Sequence, residues 1–174
     1  MRHARTLYVL LALLGLALQP LEAQEETLVF LVRHAERADD GAMTGVEDPH
    51  LSEAGVLRAE ELARVLADAG ITDIHSSDYL RTRETAAPLV EATGLAVEIY
   101  DPGKLAPFAE RLRSTPGRHL VVGHSNSTPE LVRLLGGDPG EPIEHLEYDR
   151  LYLVTLDGGK VRTVLLRFGA INGG

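Results

Sequence analysis

The chain has 174 residues, enough for one domain with a packed core. Its 17 basic and 26 acidic residues give a net charge of −9, which argues against nucleic acid and anionic membranes as partners. It has no cysteine, so no disulfide braces it and no lipid-modified cysteine anchors it.

In chain order, residues 1–23 have the anatomy of a secretory signal peptide. Met1-Arg2-His3-Ala4-Arg5 is basic, Leu7 to Leu18 is an apolar run of 12, and Gln19 to Ala23 is a cleavage region with the cut expected after Ala23. Such a run is shorter than the ~20 residues that span a bilayer, so no integral membrane segment is expected after cleavage. The domain proper is then 24–174, exported to a periplasmic or secreted location. Losing Arg2, Arg5 and Glu22 shifts the net charge from −9 to −10, so an anionic substrate needs a local basic pocket.

Thr27 to Val32 reads as a buried strand that delivers Arg33-His34 to its carboxyl end. Residues 38–50 form an acidic loop with Asp39, Asp40, Glu47 and Asp48. Ser52 caps a helix with Ala59, Leu62, Ala63, Leu66 and Ala69 on one face and Arg58, Glu61, Arg64 and Asp68 on the solvated side. Ile71 to His75 is a short apolar run followed by Ser76-Ser77-Asp78-Tyr79-Leu80-Arg81-Thr82-Arg83-Glu84-Thr85-Ala86. A helix is expected from about Asp78, its cap, to before Gly94, kinked or interrupted at Pro88. Val97 to Tyr100 reads as a strand and Leu105 to Leu112 as a short helix. Leu120-Val121-Val122-Gly123-His124 is another strand ending in histidine. Thr128-Pro129-Glu130 is a cap, a first-turn proline and an early acid, starting a helix that stops at Gly136-Gly137. Leu151 to Leu156 and Val161 to Phe168 flank the hairpin turn Asp157-Gly158-Gly159-Lys160. Alternating strands and helices predict one α/β domain with a mostly parallel central sheet in a three-layer α/β/α arrangement.

Arg33-His34, S-S-D-x-L-R-T-x-x-T-A and V-V-G-H-S-N, with Leu51-Ser52-Glu53-Ala54-Gly55 between the first two, resemble the histidine phosphatase superfamily, the phosphoglycerate-mutase-like fold. The resemblance is close over roughly residues 27–135, and in size the chain is similar to the small phosphatase branch. It implies a phosphate monoesterase or related hydrolase acting through a phosphohistidine. His34 is then the nucleophile and His124 the second histidine of the phosphate pocket. Arg33 and Arg81, with Arg37 beside them, would bind the non-bridging oxygens.

The chemistry of the residues agrees with that expectation. A neutral imidazole attacks a phosphate dianion without charge repulsion, and guanidinium forks hold the oxygens. Singly, His34, His124 and Arg81 also read as ordinary structural residues; two histidines at strand ends and an arginine at a helix start favour catalysis. Glu36 reads as a support for Arg37 or Arg81. His50, His75, His119 and His145 read as structural or surface residues. No ligand spacing points to a metal, and no cofactor is implied. The family's general-acid segment has no counterpart; Asp101 is the nearest acid, and Glu98 alternates along a strand. A phosphoanhydride or phosphoramidate would not need a strong acid. Two rival readings remain: a non-catalytic phosphate- or phosphosugar-binding envelope domain, and a phosphoglycerate-type mutase.

Overall fold

The computed structural model describes residues 26–39 and 47–170. The expected signal peptide and part of the acidic loop lie outside the described residues. Among the described residues, six strands and four helices follow the expected order, alternating until the final strand pair. They are β1 (Thr27–Arg33), α1 (Glu53–Leu66), β2 (Asp73–Ser77), α2 (Leu80–Thr93), β3 (Val97–Tyr100), α3 (Leu105–Ser114), β4 (Arg118–Gly123), α4 (Ser127–Leu134), β5 (Arg150–Asp157) and β6 (Lys160–Arg167).

The sheet order is β3-β2-β4-β1-β5-β6. β1, β2, β3 and β4 run parallel, while β5 and β6 add antiparallel pairs on one side. β1 lies between β4 and β5, covered on both faces, which is why Thr27–Val32 is continuously apolar rather than alternating. Val29 and Leu31 face a cluster with Phe108 and Leu112 of α3 and Leu131 and Val132 of α4. Phe30 and Val32 face the opposite cluster, with Leu62 and Leu66 of α1 and Ala86 and Leu89 of α2. Helices therefore cover both faces of the sheet. The chain leaves β1 and crosses beyond β4 to form β2, so the carboxyl ends of β1 and β4 flank the kind of crevice where open α/β sheets bind ligands. The register sets Arg33 opposite Gly123, placing the two strand-end histidines side by side.

Several local details differ from expectation. α2 runs unbroken through Pro88: the proline removes one backbone hydrogen bond, but Ala86 and Leu89 dock both sides of it in the core. Its first turn is not capped by Asp78, which pairs with Arg83; the Asp48 carboxylate, arriving from the acidic loop, accepts from Leu80 N at 2.9 and 3.0 Å. α4 is capped by Asn126, because the Thr128 hydroxyl instead donates to Val32 O at 3.1 Å. Arg58, expected on the solvated side of α1, is 4% exposed. Its guanidinium holds Glu36 at 2.7–2.9 Å and the carbonyls of Phe168 and Ala170 at 2.8 Å, so charge-assisted bonds satisfy a cation that periodicity alone would place outside. The Glu36 carboxylate thus braces α1 through Arg58, which also ties that helix to the segment after β6. Gly55 makes a close approach possible: a Cβ there would lie 2.2 Å from Glu36 O.

Candidate active site

A cavity of about 450 Å³ opens at the carboxyl edge of the sheet, with His34, His124, Arg33, Arg37 and Arg81 in its wall. Five of the six expected site residues therefore meet in one place. The sixth, Asp101, is exposed, and its carboxylate accepts from Gly103 N at 2.8 Å and faces Lys104 at 3.5 Å. Pro102 and Gly103 reach the wall, but Asp101 is not among the lining residues, and no carboxylate is among the described ones.

His34 is fixed by two bonds. Its backbone N–H donates to Gly123 O at 2.9 Å, and its Nδ1–H donates to Ala35 O at 2.7 Å. A carbonyl can only accept, so Nδ1 carries the proton and Nε2 keeps the lone pair available to a ligand. Burial, opposed by the Ala35 bond and helped by the charges of Arg33, Arg81 and His124, holds its pKa down at about 2. The ring is neutral throughout the ordinary pH range. Ala35 N in turn donates to the Thr85 hydroxyl at 2.9 Å, which donates to Arg81 O at 2.7 Å. This short chain ties the histidine turn to the helix that carries Arg81, and it explains the second threonine of the R-T-x-x-T run.

The three phosphate-binding candidates are held differently. The Arg33 guanidinium lies over the buried Tyr148 ring at 4.0 Å, and its Nη1 reaches the carbonyls of Glu144, His145 and Glu147 at 3.1, 2.8 and 3.0 Å. The Arg81 guanidinium lies over Tyr79 at 4.5 Å with Nη1 3.2 Å from Asp48. Its Nε is buried with no hydrogen-bond acceptor among the described residues. A buried donor without an acceptor is costly, and an anion in the cavity would relieve it. Burial lowers the Arg81 pKa against the pull of Asp48, but guanidinium stays charged at any physiological pH. Arg37 lines the cavity while forming a two-point pair with Asp39 at 2.7 and 2.9 Å.

His124 joins a hydroxyl relay. The Thr82 hydroxyl lies 2.8 Å from Ser77 O and 2.9 Å from Tyr79 O, and its hydrogen must go to one of these carbonyls. The Ser77 hydroxyl then donates to Thr82 at 3.1 Å and accepts from His124 Nε2–H at 2.8 Å. Nδ1 is the nitrogen left for a ligand, and the ring donates from it only when cationic. Burial, with Arg81 and Arg33 adding to it, lowers the His124 pKa to about 4 in the open cavity. A bound dianion counters the two arginines and favours the imidazolium. The His34 and His124 rings sit edge to face, 5.5 Å between centroids.

Reading the sequence missed Ser77, Tyr79, Asp48, Tyr148 and His145. Ser77 and Tyr79 lie inside the quoted S-S-D-x-L-R run, so the run itself was their signal. Tyr148 and His145 carry no local pattern at all. Among the described residues, no group of three His, Cys, Asp or Glu side chains could hold a metal, and no helix is long and apolar enough to cross a membrane.

Comparison with known proteins agrees with this geometry. Residues 29–102 match the profile of the histidine phosphatase superfamily (branch 1). An uncharacterized protein of Mycobacterium tuberculosis is 40% identical over 97 residues, covering 53% of this chain and 48% of that protein. GpmB of Yersinia pestis, named a probable phosphoglycerate mutase, is 40% identical over 76 residues, covering 42% of this chain and 35% of that protein. The matches thus span about half or less of the length of these curated relatives. The protein histidine phosphatase SixA, solved with tungstate, superposes with a TM-score of 0.64 at 22% identity, covering 80% of this chain and 96% of that one. A mycobacterial glucosyl-3-phosphoglycerate phosphatase superposes with a TM-score of 0.64 at 19% identity, covering 84% and 100%. At such identities the likeness establishes the fold.

Proposed function

We propose that the chain, whose residues 29–102 match the histidine phosphatase superfamily profile, is a metal-independent phosphatase working through a phosphohistidine on His34. The observation that carries this is the orientation of His34: Nδ1–H is spent on Ala35 O, and the lone pair at Nε2 belongs to a cavity walled by Arg33 and Arg81. Attack forms the bond from Nε2 to phosphorus as the bond to the leaving group breaks. The Nδ1–H···O=C bond steadies the positive charge that develops on the ring. Arg33, Arg81 and cationic His124 hold the phosphoryl oxygens, and losing one such donor typically costs ~10²–10³-fold in rate. Water then attacks the phosphohistidine.

Two observations narrow the substrate. No described carboxylate lines the cavity, which favours leaving groups that depart without a strong carboxylic acid: phosphoramidates, phosphoanhydrides and acidic phenols. The fold is shared with a protein histidine phosphatase, whose substrate is a phosphoramidate. The basic start and apolar run of residues 1–23 support export of the mature domain, which N-terminal sequencing of protein from an envelope fraction tests.

The direct test is hydrolysis of an aryl phosphate with detergent quenching at alkaline pH to trap labelled enzyme. The expected result is turnover with an acid-labile, base-stable phosphoryl label that His34→Ala abolishes. Turnover that survives His34→Ala unchanged, or no turnover from acid to neutral pH, overturns the reading; the latter with intact phosphate binding would leave a binding domain. The name of the Yersinia relative favours a mutase as second reading. In that case a phosphoglycerate would give its isomer rather than free phosphate.

A further inference from the structure

The cavity wall is chemically one-sided. It gathers guanidinium groups, the buried His34 and the half-buried His124, yet holds no described carboxylate. A poor leaving group still has to collect a proton as its bond to phosphorus breaks. In-line displacement fixes where that proton must arrive. His34, 4% exposed, lies at the floor, so the departing atom points toward the mouth.

The mouth carries one more imidazole. His145 is exposed and lines the cavity from the turn that precedes β5. That turn is closed by Glu147 N–H donating to Glu144 O at 3.1 Å and by the Glu147 carboxylate accepting from Glu144 N at 3.0 Å. Arg150 of β5 and Arg167 of β6 hold the same carboxylate at 2.6 and 2.5 Å. Arg33 Nη1 meets the His145 carbonyl at 2.8 Å, so one arginine both belongs to the phosphate pocket and fixes the backbone of this histidine. These bonds fix the backbone of His145 beside the phosphate pocket.

We propose that His145 is the proton donor to the leaving group. This rests on the phosphohistidine reading above. In the first step the His145 imidazolium gives its proton to the bridging oxygen or nitrogen while that atom's bond to phosphorus breaks and the bond to His34 Nε2 forms. In the second step the neutral ring takes a proton from the attacking water, whose oxygen bonds phosphorus as the electron pair returns to Nε2. The charged and titratable groups around the ring are Arg33 from β1, Glu144 and Glu147 from its own turn, and His34, Arg37, Tyr79, Arg81 and His124 across the cavity. Of these, Tyr79 is the competing donor at the mouth.

The test compares phenyl phosphate with 2,4-dinitrophenyl phosphate in wild type, His145→Gln, His145→Asn and Tyr79→Phe. A general acid contributes about 10²–10⁴-fold, and only where the leaving group needs it. The expected outcome is a loss of about 10²-fold in kcat/KM on phenyl phosphate, with a far smaller loss on the dinitrophenyl ester. Equal losses on the two esters would make His145 a residue that only shapes the turn. No loss on phenyl phosphate, or a leaving-group-dependent loss in Tyr79→Phe instead, overturns the proposal. Trapping labelled enzyme in each variant separates the two readings. Label retained without leaving-group dependence refutes the role of His145 alone; no label in wild type refutes the phosphohistidine, and His145 with it.

Discussion

Two pairs of histidines meet ring to ring, and they have opposite surroundings. His34 and His124 stand at the carboxyl ends of β1 and β4, their rings 5.5 Å apart, facing a cavity of about 450 Å³ among arginines. His75 on β2 and His119 on β4 have centroids 5.4 Å apart and nearly parallel rings, beside a notch of about 120 Å³. The second pair is bonded to itself and to the backbone, while His75 Nδ1 is buried without a hydrogen-bond partner among the described residues. His119 Nε2–H donates to Thr115 O at 2.9 Å, so its Nδ1 accepts from His75 Nε2–H at 3.2 Å. Asp73 lies 3.6 Å from His119, Glu98 3.4 Å from His75, and Phe108 packs edge-on against His75. Pairing is common to both; the sign of the neighbouring charge differs. Carboxylates stand beside the inner pair, whereas arginines stand beside the outer pair, and the buried Arg81 Nε there has no acceptor among the described residues.

The largest expected contrast is in rate. His34→Asn should lower kcat by at least about 10³-fold, as removal of a nucleophile does, while His75→Asn should leave kcat within about twofold in steady-state assays. Equal losses would dissolve the distinction. Next, Arg81→Lys should cost about 10²-fold in kcat/KM, because an ammonium cannot fork onto two oxygens; a change under threefold would show that Arg81 is not in the transition state.

A smaller effect lies in stability. Burial first, then the charges of His119 and Arg111, hold the His75 pKa at about 4, and His124 and His34 titrate at about 4 and about 2 instead of 6.5. Below pH 6.5 the unfolded chain binds protons that the folded one refuses, so stability present above that pH is lost as pH falls toward 4. Each such group contributes a slope of up to about 1.4 kcal/mol per pH unit. Urea melts from pH 7 to 4.5 should show His75→Gln flattening that slope by one proton, and an unchanged slope would place its titration elsewhere. Smallest, Asp48→Ala should destabilise by about 1 kcal/mol through loss of the α2 cap, read from the same melts at pH 7.

Much of this was legible from sequence because it is local. Thr27–Val32 and Leu120–Gly123 announce strands by their own residues, and the order of elements follows from their alternation. Strand ends then bring Arg33, His34 and His124 together through the parallel register. What stayed hidden depends on partners far along the chain. Arg58 looks solvated within its helix, and only Glu36, Phe168 and Ala170 reveal why it is buried. Asp48 caps a helix 32 residues away, and Arg33 holds carbonyls 111–114 residues away. Asp101 was singled out by proximity in sequence to the family's acid segment, but its carboxylate closes its own turn at Gly103.

Gly55 has a mechanical consequence for anyone altering this protein. A methyl group there would meet Glu36 O at 2.2 Å, where that carbonyl already accepts from Ser52 N at 2.9 Å. Relief has to come either from helix α1 backing away, taking Arg58 from Glu36, or from residues 34–36 shifting together. The tolerance of His34's position is therefore set on a helix that does not line the cavity, by the width of one missing carbon.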